Sequence, residues 1–401
     1  MARTTLRVGI RTEGFLVAAL LGLLPIERGL VLDVGGFTFR PVYPLFALLF
    51  LLALPRVRLR LSEVAFLWGL ALWLFLSPFF SFQWEVSLAY GGWAFLTMAG
   101  AVALIALIRA KPTMLGFALR VYALSAAFFA LVALVQWGLA FRYPELAYSF
   151  LGPFPRVQAL TLEPSYLATY LVFPFFLSLA RGWWGCATFI GGGLLVSTSR
   201  TGLVAVALGL GLHGLVLLFR RRLASARRVQ SFALWGLLIV VLLFLTWPGG
   251  RLFWLELGSF LLHGLFLQDV TSAQPRLESW FQAWDVFKGQ PWTGVGVGAY
   301  GYAASALGYG DAEGDPRTLK TTNLFLEVLA EMGIFGLALL LFWIALPLSI
   351  LLKPPMTPEG YALALAFLAT IFTFPFIQTW WRPYLWVPWA LAMSYAGRTR
   401  S

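Results

Sequence analysis

Twelve apolar stretches, separated by short polar or basic connections, run along the chain. A helix that crosses a bilayer needs about 20 mostly apolar residues, and the seventh and last stretches are the weakest because they are short. The stretches lie near residues 14–33, 41–55, 62–80, 88–108, 114–140, 165–180, 182–198, 201–219, 231–247, 322–352, 359–377 and 383–396. The pattern predicts an all-α fold, a polytopic integral membrane helix bundle with about 12 transmembrane helices.

One long connection, residues 248–321, divides the predicted bundle into nine helices within residues 1–247 and three within residues 322–401. Large apolar side chains recur in it at helical spacing, with charged and polar side chains between them. These apolar residues are Leu277, Trp280, Phe281, Trp284 and Phe287. We therefore expect an amphipathic helix that lies on the membrane surface or caps a cavity.

The basic residues predict the orientation of the helices. With the spans alternating, 17 Lys and Arg residues fall on one side of the membrane and six fall in the short connections on the other. Since short cytoplasmic loops carry the excess of positive charge, both termini and the run at 220–228 are predicted to be cytoplasmic. The basic segment 1–11 precedes an apolar stretch without a small-residue cleavage site, so the first helix is expected to be retained.

Composition agrees with a membrane protein. Hydrophobic residues make up 60% of the chain, charged residues 11%, and the mean hydropathy is +0.82, whereas soluble domains carry about 25% charged residues. The net charge of +12 lies mainly in short clusters between apolar runs, which indicates topology and contact with membrane lipids, and not nucleic acid binding. The single cysteine, Cys186, excludes an intrachain disulfide.

A polar knot at 197–202 separates two apolar stretches on the predicted outer side. The guanidinium of Arg200 suits bidentate binding of a phosphate, and the hydroxyl of Ser199 can add a donor. An arginine at this place can equally extend to water beside a short turn. Both interpretations stay open from the residues alone.

The segment 163–165 opens the sixth stretch with a carboxylate and a proline. Proline suits the first helical position and a carboxylate is favoured there, which gives Glu163 a structural role. A carboxylate at the outer mouth of the bundle could also take a proton from a hydroxyl group, with Arg156 nearby to hold or tune it.

The tenth stretch begins with Thr322 and carries Asn323, Glu327 and Glu331 at intervals of four residues. This spacing places Asn323, Glu327 and Glu331 on one face of the helix. Ionisable groups inside a helix bundle typically face a water-filled cavity or pair with one another. The alternative is a set of hydrogen bonds that join helices.

Further basic residues on the predicted outer side include Arg276, which could swing over a cavity, and Arg382. Other patterns have little specificity. His213 and His263 lack metal-ligand spacing, and the alternating acids from Asp311 to Asp315 lack the glycine and final glutamate of a calcium loop.

The glycines of GVGVGAY at 294–300 predict a tight turn, because no strand and helix flank them as a phosphate loop requires. No P-loop occurs in the sequence, so nucleotide-driven transport has no support from it.

Four segments together resemble the O-antigen ligase and polymerase superfamily of bacterial membrane proteins. They are TSR at 198–200, RLESW with a later tryptophan at 276–284, PWTGVGVGAY at 291–300 and TNLFLEVLAEMGIFGL at 322–337. The resemblance covers about residues 150–350. It implies a glycosyltransferase that uses undecaprenyl-pyrophosphate-linked oligosaccharide at the periplasmic face of the inner membrane.

The resemblance also assigns roles. Arg200 and Arg276 would bind the pyrophosphate, with Ser199, Arg156 and Arg382 as further candidates. Residues 322–323 would lie beside the acceptor.

Ligases of lipid A-core typically carry His-Asn where this chain has Thr322 and Asn323, and the segment at 163–165 looks more like polysaccharide polymerases. A polymerase is therefore favoured over a ligase that transfers glycan to lipid A-core or protein. A transporter of lipid-linked oligosaccharide is the other alternative.

Fixed arginines can stabilise a leaving pyrophosphate without a metal ion or other cofactor. Glu163 is the first candidate for the base that activates the attacking hydroxyl, and Glu327 is the second. By resemblance alone, a chain-length regulator is an expected protein partner.

Overall fold

The computed structural model describes residues 2–28, 32–34, 37–219, 258–259, 273–310, 314–353 and 356–395. Within these ranges the chain forms 13 α-helices: α1 Ala2–Leu23, α2 Val42–Ala53, α3 Leu61–Phe80, α4 Trp84–Ala110, α5 Thr113–Ala140, α6 Pro164–Arg181, α7 Trp184–Ser197, α8 Arg200–Phe219, α9 Ala273–Gly289, α10 Tyr300–Ala306, α11 Leu324–Leu351, α12 Pro358–Ile371 and α13 Pro383–Tyr395. Two antiparallel hairpins pair β1 Leu32–Val34 with β2 Phe37–Phe39 and β3 Ser149–Leu151 with β4 Phe154–Arg156.

Most predicted stretches coincide with helices to within a few residues, but the prediction for the first was wrong. Helix α1 ends at Leu23, and the N–H of Ile26 turns back to the carbonyl of Leu23 at 3.1 Å. Pro25 explains the early end, because a proline disfavours helical backbone at the residue before it. The predicted ninth span, 231–247, and the basic run at 220–228 lie outside the described residues.

Five helical segments of the described chain are long and apolar enough to cross a membrane: α3, α4, α5, α11 and Pro358–Phe376. Large apolar side chains on their outer faces are exposed, including Trp68, Phe79 and Phe128. Such a surface would be unstable in water and is stable against lipid. The described part of the chain is therefore organised as a polytopic helical membrane protein.

Helix α13 lies at the centre of the bundle, and all of its residues are buried. It packs against α4, α11 and α12. Fully buried tryptophans lie on this helix and next to it. The ring of Trp389 on α13 stacks on the ring of Trp343 on α11, with the centroids 6.0 Å apart. A helix that is apolar on every face is stable only in such an enclosed position.

Helix α11 is broken at Gly333, whose backbone dihedrals are φ 65° and ψ −164°. This conformation is accessible almost only to glycine. The break frees the carbonyls of Ala330 and Glu331, which accept the N–H groups of Val295 and Gly296 at 2.9 Å each. The glycine-rich segment is thereby fixed along the first turns of α11.

The expected amphipathic helix is present as α9, but the face that packs on the bundle differs from the one its sequence favours. Small residues, Ser279, Ala283 and Val286, are buried. By contrast, Phe281 and Trp284 are 64% and 47% exposed. Close helix approach favours small side chains, so Phe281 and Trp284 point away from the protein.

Candidate active site

A cavity of about 220 Å³ lies at the end of the bundle where α4, α11 and α13 begin. We call this end of the molecule the site end. The cavity walls come from the first turns of α4 and α11, from the segments 298–302 and 316–321, and from the loop between α12 and α13. Elements from distant parts of the chain therefore converge on it.

Glu327 lines the cavity from the first turn of α11. Its Oε2 accepts the backbone N–H of Thr379 at 2.5 Å. Thr379 has a φ of 69°, a left-handed conformation that is uncommon for a threonine. The loop backbone thus holds one carboxylate oxygen of Glu327, and the cavity adjoins the same side chain.

Glu331 also lines the cavity, one turn further along α11. The carboxylate interacts electrostatically with the backbone N–H groups of Gly298 and Tyr300, and the residue is only 9% exposed. Glu331 therefore lies against the glycine-rich segment, whereas one oxygen of Glu327 is held by the loop at Thr379.

The glycine-rich segment forms the tight turn that its sequence predicts. Gly294, Gly296 and Gly298 have φ values of 68°, 98° and 74°. A Cβ at Gly294 would lie 2.3 Å from the carbonyl carbon of Glu331. Glycine is required there both for its backbone conformation and for the close approach to α11.

Aromatic and basic side chains complete the cavity. Tyr90, Tyr300, Tyr302 and Trp381 line it. The Nε of Arg317 donates to the hydroxyl of Tyr302 at 3.0 Å. Burial raises the pKa of the Tyr300 hydroxyl above its ordinary value, so this group stays protonated at neutral pH. Lys320 lies on the same wall.

A buried ion cluster adjoins the cavity at the site end. Glu27 is 1% exposed and pairs with the guanidiniums of Arg382 at 2.7 Å and Arg40 at 3.0 Å. Its other oxygen accepts the N–H of Leu162 at 3.2 Å. Neither Glu27 nor Arg40 was predicted from the sequence as a site residue. Glu27 could have been found from the sequence, because it is a charged residue inside the predicted span 14–33.

Arg382 joins this cluster to the cavity wall. Its guanidinium lies 3.6 Å from the ring centroid of Tyr166, and its Nε donates to the carbonyl of Gln378 at 3.4 Å. Gln378 in turn donates to the Tyr166 hydroxyl at 2.7 Å. Arg382 is thus held by a carboxylate, an aromatic ring and a carbonyl, and it fixes the loop that holds Glu327.

Glu163 occupies the N-cap position of α6, with Pro164 at the first helical position, as the sequence predicts. Its Oε2 accepts the hydroxyl of Ser165 at 3.1 Å. The carboxylate interacts electrostatically with Arg382, but it does not line the cavity. The structure therefore places Glu163 beside the ion cluster.

Arg156 lies on β4 and contacts the polar knot. Its Nε donates to the hydroxyl of Thr198 at 3.0 Å. Thr198 ends α7 with a φ of 45°, Ser199 is 3% exposed and Arg200 begins α8 partly buried. The knot is close to the start of α6, because a Cβ at Gly202 would lie 2.6 Å from the Cβ of Ala168.

The remaining predicted residues lie where α9 meets α11. The Ser279 hydroxyl is 2.8 Å from the carbonyl of Arg276 and 3.1 Å from the hydroxyl of Thr322. The side chain of Asn323 accepts the N–H groups of Phe325 and Leu326, so it caps α11 and does not line the cavity. Arg276 itself is partly buried at the start of α9.

Other polar groups have structural surroundings. The Nδ1 of buried His213 lies 2.5 Å from the hydroxyl of Tyr361. His263, Asp311 and Glu313 lie outside the described residues. No group of three or more His, Cys, Asp or Glu side chains in the described ranges could hold a metal ion.

Residues 185–341 match the model of the O-antigen ligase family. The matched region runs from α7 into α11 and includes Arg200, Arg276, Glu327 and Glu331. It supports the resemblance to the O-antigen ligase and polymerase superfamily and a glycosyltransferase-type function. No curated protein matches the chain.

Proposed function

We propose that this protein is a polysaccharide polymerase that joins undecaprenyl-pyrophosphate-linked oligosaccharide units at the outer face of the bacterial inner membrane. The proposal takes both termini to be cytoplasmic and the site end to be periplasmic. The observation that carries it is the cavity, in which the carboxylate of Glu327 adjoins aromatic and hydroxyl groups. Such a cavity suits a hydroxylated substrate that must lose a proton.

The reaction forms one bond and breaks one. A hydroxyl oxygen of the acceptor sugar attacks the anomeric carbon of the donor, and the bond from that carbon to the pyrophosphate oxygen breaks. The electron pair leaves with undecaprenyl pyrophosphate, and the hydroxyl proton passes to a base. The energy comes from the donor bond, so no soluble nucleotide takes part.

We assign the base to Glu327. Thr379 holds one of its oxygens, and the cavity gives a sugar hydroxyl access to the carboxylate. Glu163, the other candidate, accepts from Ser165 and lies outside the cavity. General base catalysis requires hydrogen-bond reach of the proton, which favours the residue in the cavity.

We propose that Arg200 and Arg276 bind the leaving pyrophosphate. Both are partly buried at helix starts next to polar groups, where a fixed cation acts more strongly than in water. Arg156 and Ser199 support the knot that carries Arg200. Arg382 is engaged with Glu27, so its part is to position the loop next to Glu327.

The test uses purified protein in detergent with undecaprenyl-pyrophosphate-linked oligosaccharide from the source organism. Wild-type protein is expected to produce a ladder of repeats, resolved by gel or mass spectrometry. Arg200→Ala should slow it by about 10²–10³-fold, the usual cost of removing one transition-state charge contact. Arg142→Ala, an exposed arginine just after α5, is the matched control and should keep the wild-type rate.

One alternative, which is compatible with the family description, is a ligase. Transfer of glycan to added lipid A-core or protein, without any ladder, would contradict the polymerase and establish a ligase. Absence of transfer to every acceptor would contradict both and support a transporter. In either of those cases a chain-length regulator would no longer be expected as a partner, because that expectation depends on the polymerase function.

A further inference from the structure

Two side chains that line the cavity each carry a buried polar atom with no hydrogen-bond partner within the described structure. These atoms are the hydroxyl of Tyr300 and the Oε1 of Gln378. Tyr300 is 3% exposed, Gln378 is 7% exposed, and both line the cavity. A buried polar atom without a partner typically costs about 1–3 kcal/mol. Hydroxyl groups of a ligand that contacts these two side chains could supply the missing hydrogen bonds.

The two atoms need complementary partners. The amide oxygen of Gln378 can only accept a hydrogen bond, whereas the hydroxyl of Tyr300 can donate and accept. The Gln378 nitrogen donates to the Tyr166 hydroxyl at 2.7 Å, which leaves the amide oxygen as the atom without a partner. A hydroxyl group of a ligand can donate to Gln378, and a second one can pair with Tyr300.

The rest of the wall matches the other faces of a sugar ring. Tyr90, Tyr302 and Trp381 offer aromatic surface to its C–H groups. Ligand sites commonly combine such apolar walls with a few convergent polar groups. The hydrogen bond from Arg317 to the Tyr302 hydroxyl orients one of these rings.

We propose that this cavity is a monosaccharide subsite that binds the acceptor sugar through Tyr300, Gln378 and the surrounding aromatic side chains. The proposal rests on the polymerase function and adds to it the position of the acceptor. The sugar enclosed between these groups presents a hydroxyl to Glu327. Tyr300 is a binding residue in this arrangement, and the chemistry is left to Glu327.

The experiment measures binding of free sugars by saturation-transfer difference NMR to the full chain in detergent. The probes are the methyl glycosides of glucose, galactose, N-acetylglucosamine and rhamnose. At least one of them is expected to give a signal with wild-type protein. Tyr300→Phe removes one hydroxyl and should weaken that binding by about tenfold, as expected for loss of a hydrogen bond of about 1.4 kcal/mol.

The matched control is Tyr122→Phe. The hydroxyl of Tyr122 is also buried without a partner among the described residues, but it lies on α5 and not in the cavity. Both variants remove an unsatisfied group, so neither should lower the melting temperature. Only Tyr300→Phe should reduce sugar binding.

The outcomes separate this inference from the proposed function. No signal from any glycoside with wild-type protein, or equal binding by Tyr300→Phe, would overturn the subsite even if a ladder is made. Binding that depends on Tyr300, in a protein that makes no ladder, would keep the subsite and overturn the polymerase.

Discussion

Two neighbouring regions at the site end bury carboxylates, and they do so in opposite ways. In the ion cluster, Glu27 is closed off by two guanidiniums and a backbone N–H. In the cavity, Glu327 has one oxygen held by Thr379 and adjoins open space lined by Tyr300 and Gln378. A satisfied charge stabilises a fold, whereas a charge beside a cavity can act on a ligand. The two regions share the loop 377–382, so one supports the other.

Glu327→Gln should produce the largest effect, because it removes the proposed base and keeps the shape of the side chain. The rate of polymer synthesis should fall by about 10²–10⁴-fold, the usual contribution of general base catalysis. The melting temperature should change little. Initial rates from the ladder assay measure this effect.

Two comparisons sharpen this result. Glu145→Gln changes an exposed carboxylate outside the cavity and should keep the wild-type rate. If Glu163→Gln abolishes synthesis while Glu327→Gln keeps it, the base is Glu163. If both variants keep full synthesis, neither Glu163 nor Glu327 is the base.

Glu27→Gln should act chiefly on stability. Removing the charge leaves Arg382 and Arg40 buried without their carboxylate, and breaking a buried ion pair typically costs about 3–5 kcal/mol. Unfolding of the purified protein by denaturant or heat measures the loss, with Glu145→Gln as control. A variant as stable as wild type would show that the cluster does not hold this end of the bundle.

Gly333→Ala tests how the cavity wall is assembled. An alanine at this φ and ψ is strained by about 1–3 kcal/mol, and its Cβ would lie 2.2 Å from the carbonyl oxygen of Trp292. We expect lower thermal stability and lower synthesis together, because the glycine-rich segment loses its place along α11. Gly92→Ala is the control, since no atom lies within 4 Å of the Cβ position there. Unchanged values for Gly333→Ala would contradict this packing.

Asn323→Ala should have the smallest effect. The Asn323 side chain caps α11, and loss of an N-cap costs about 0.5–2 kcal/mol. Asn323→Asp keeps an acceptor oxygen and should restore the melting temperature and the rate. If Asn323→Ala stops synthesis without lowering stability, Asn323 has a direct part in the reaction.

The sequence predicted the helices well, because long apolar runs and their polar boundaries are local signals. It misplaced α1, which ends at Leu23, within the predicted span 14–33, because Pro25 disfavours a helix there. It identified the amphipathic pattern of α9 but not the covered face, because the packing of Ala283 against the bundle depends on a distant partner. The turn at 294–298 was predicted, whereas its attachment to Gly333 was not.

The site shows the same division between local and distant signals. Glu327 was identified because an ionisable group within a membrane span costs free energy and so points to a function. The structure places it in the wall of the cavity. The ion pair of Glu27 and Arg382 joins the first and last thirds of the chain, so no spacing rule could reveal it. The unpartnered atoms of Tyr300 and Gln378 become visible only once their surroundings are known.

We propose that the sugar reacts in the cavity and not at the ion cluster. Photo-crosslinking tests this with lipid-linked oligosaccharide that carries a diazirine on its terminal sugar, followed by mapping of the labelled peptides. We expect label on the segments 298–302 and 316–321, and we expect it to be lost when excess unlabelled substrate is added. Label confined to α1 and the start of α6, with none on the cavity walls, would contradict it.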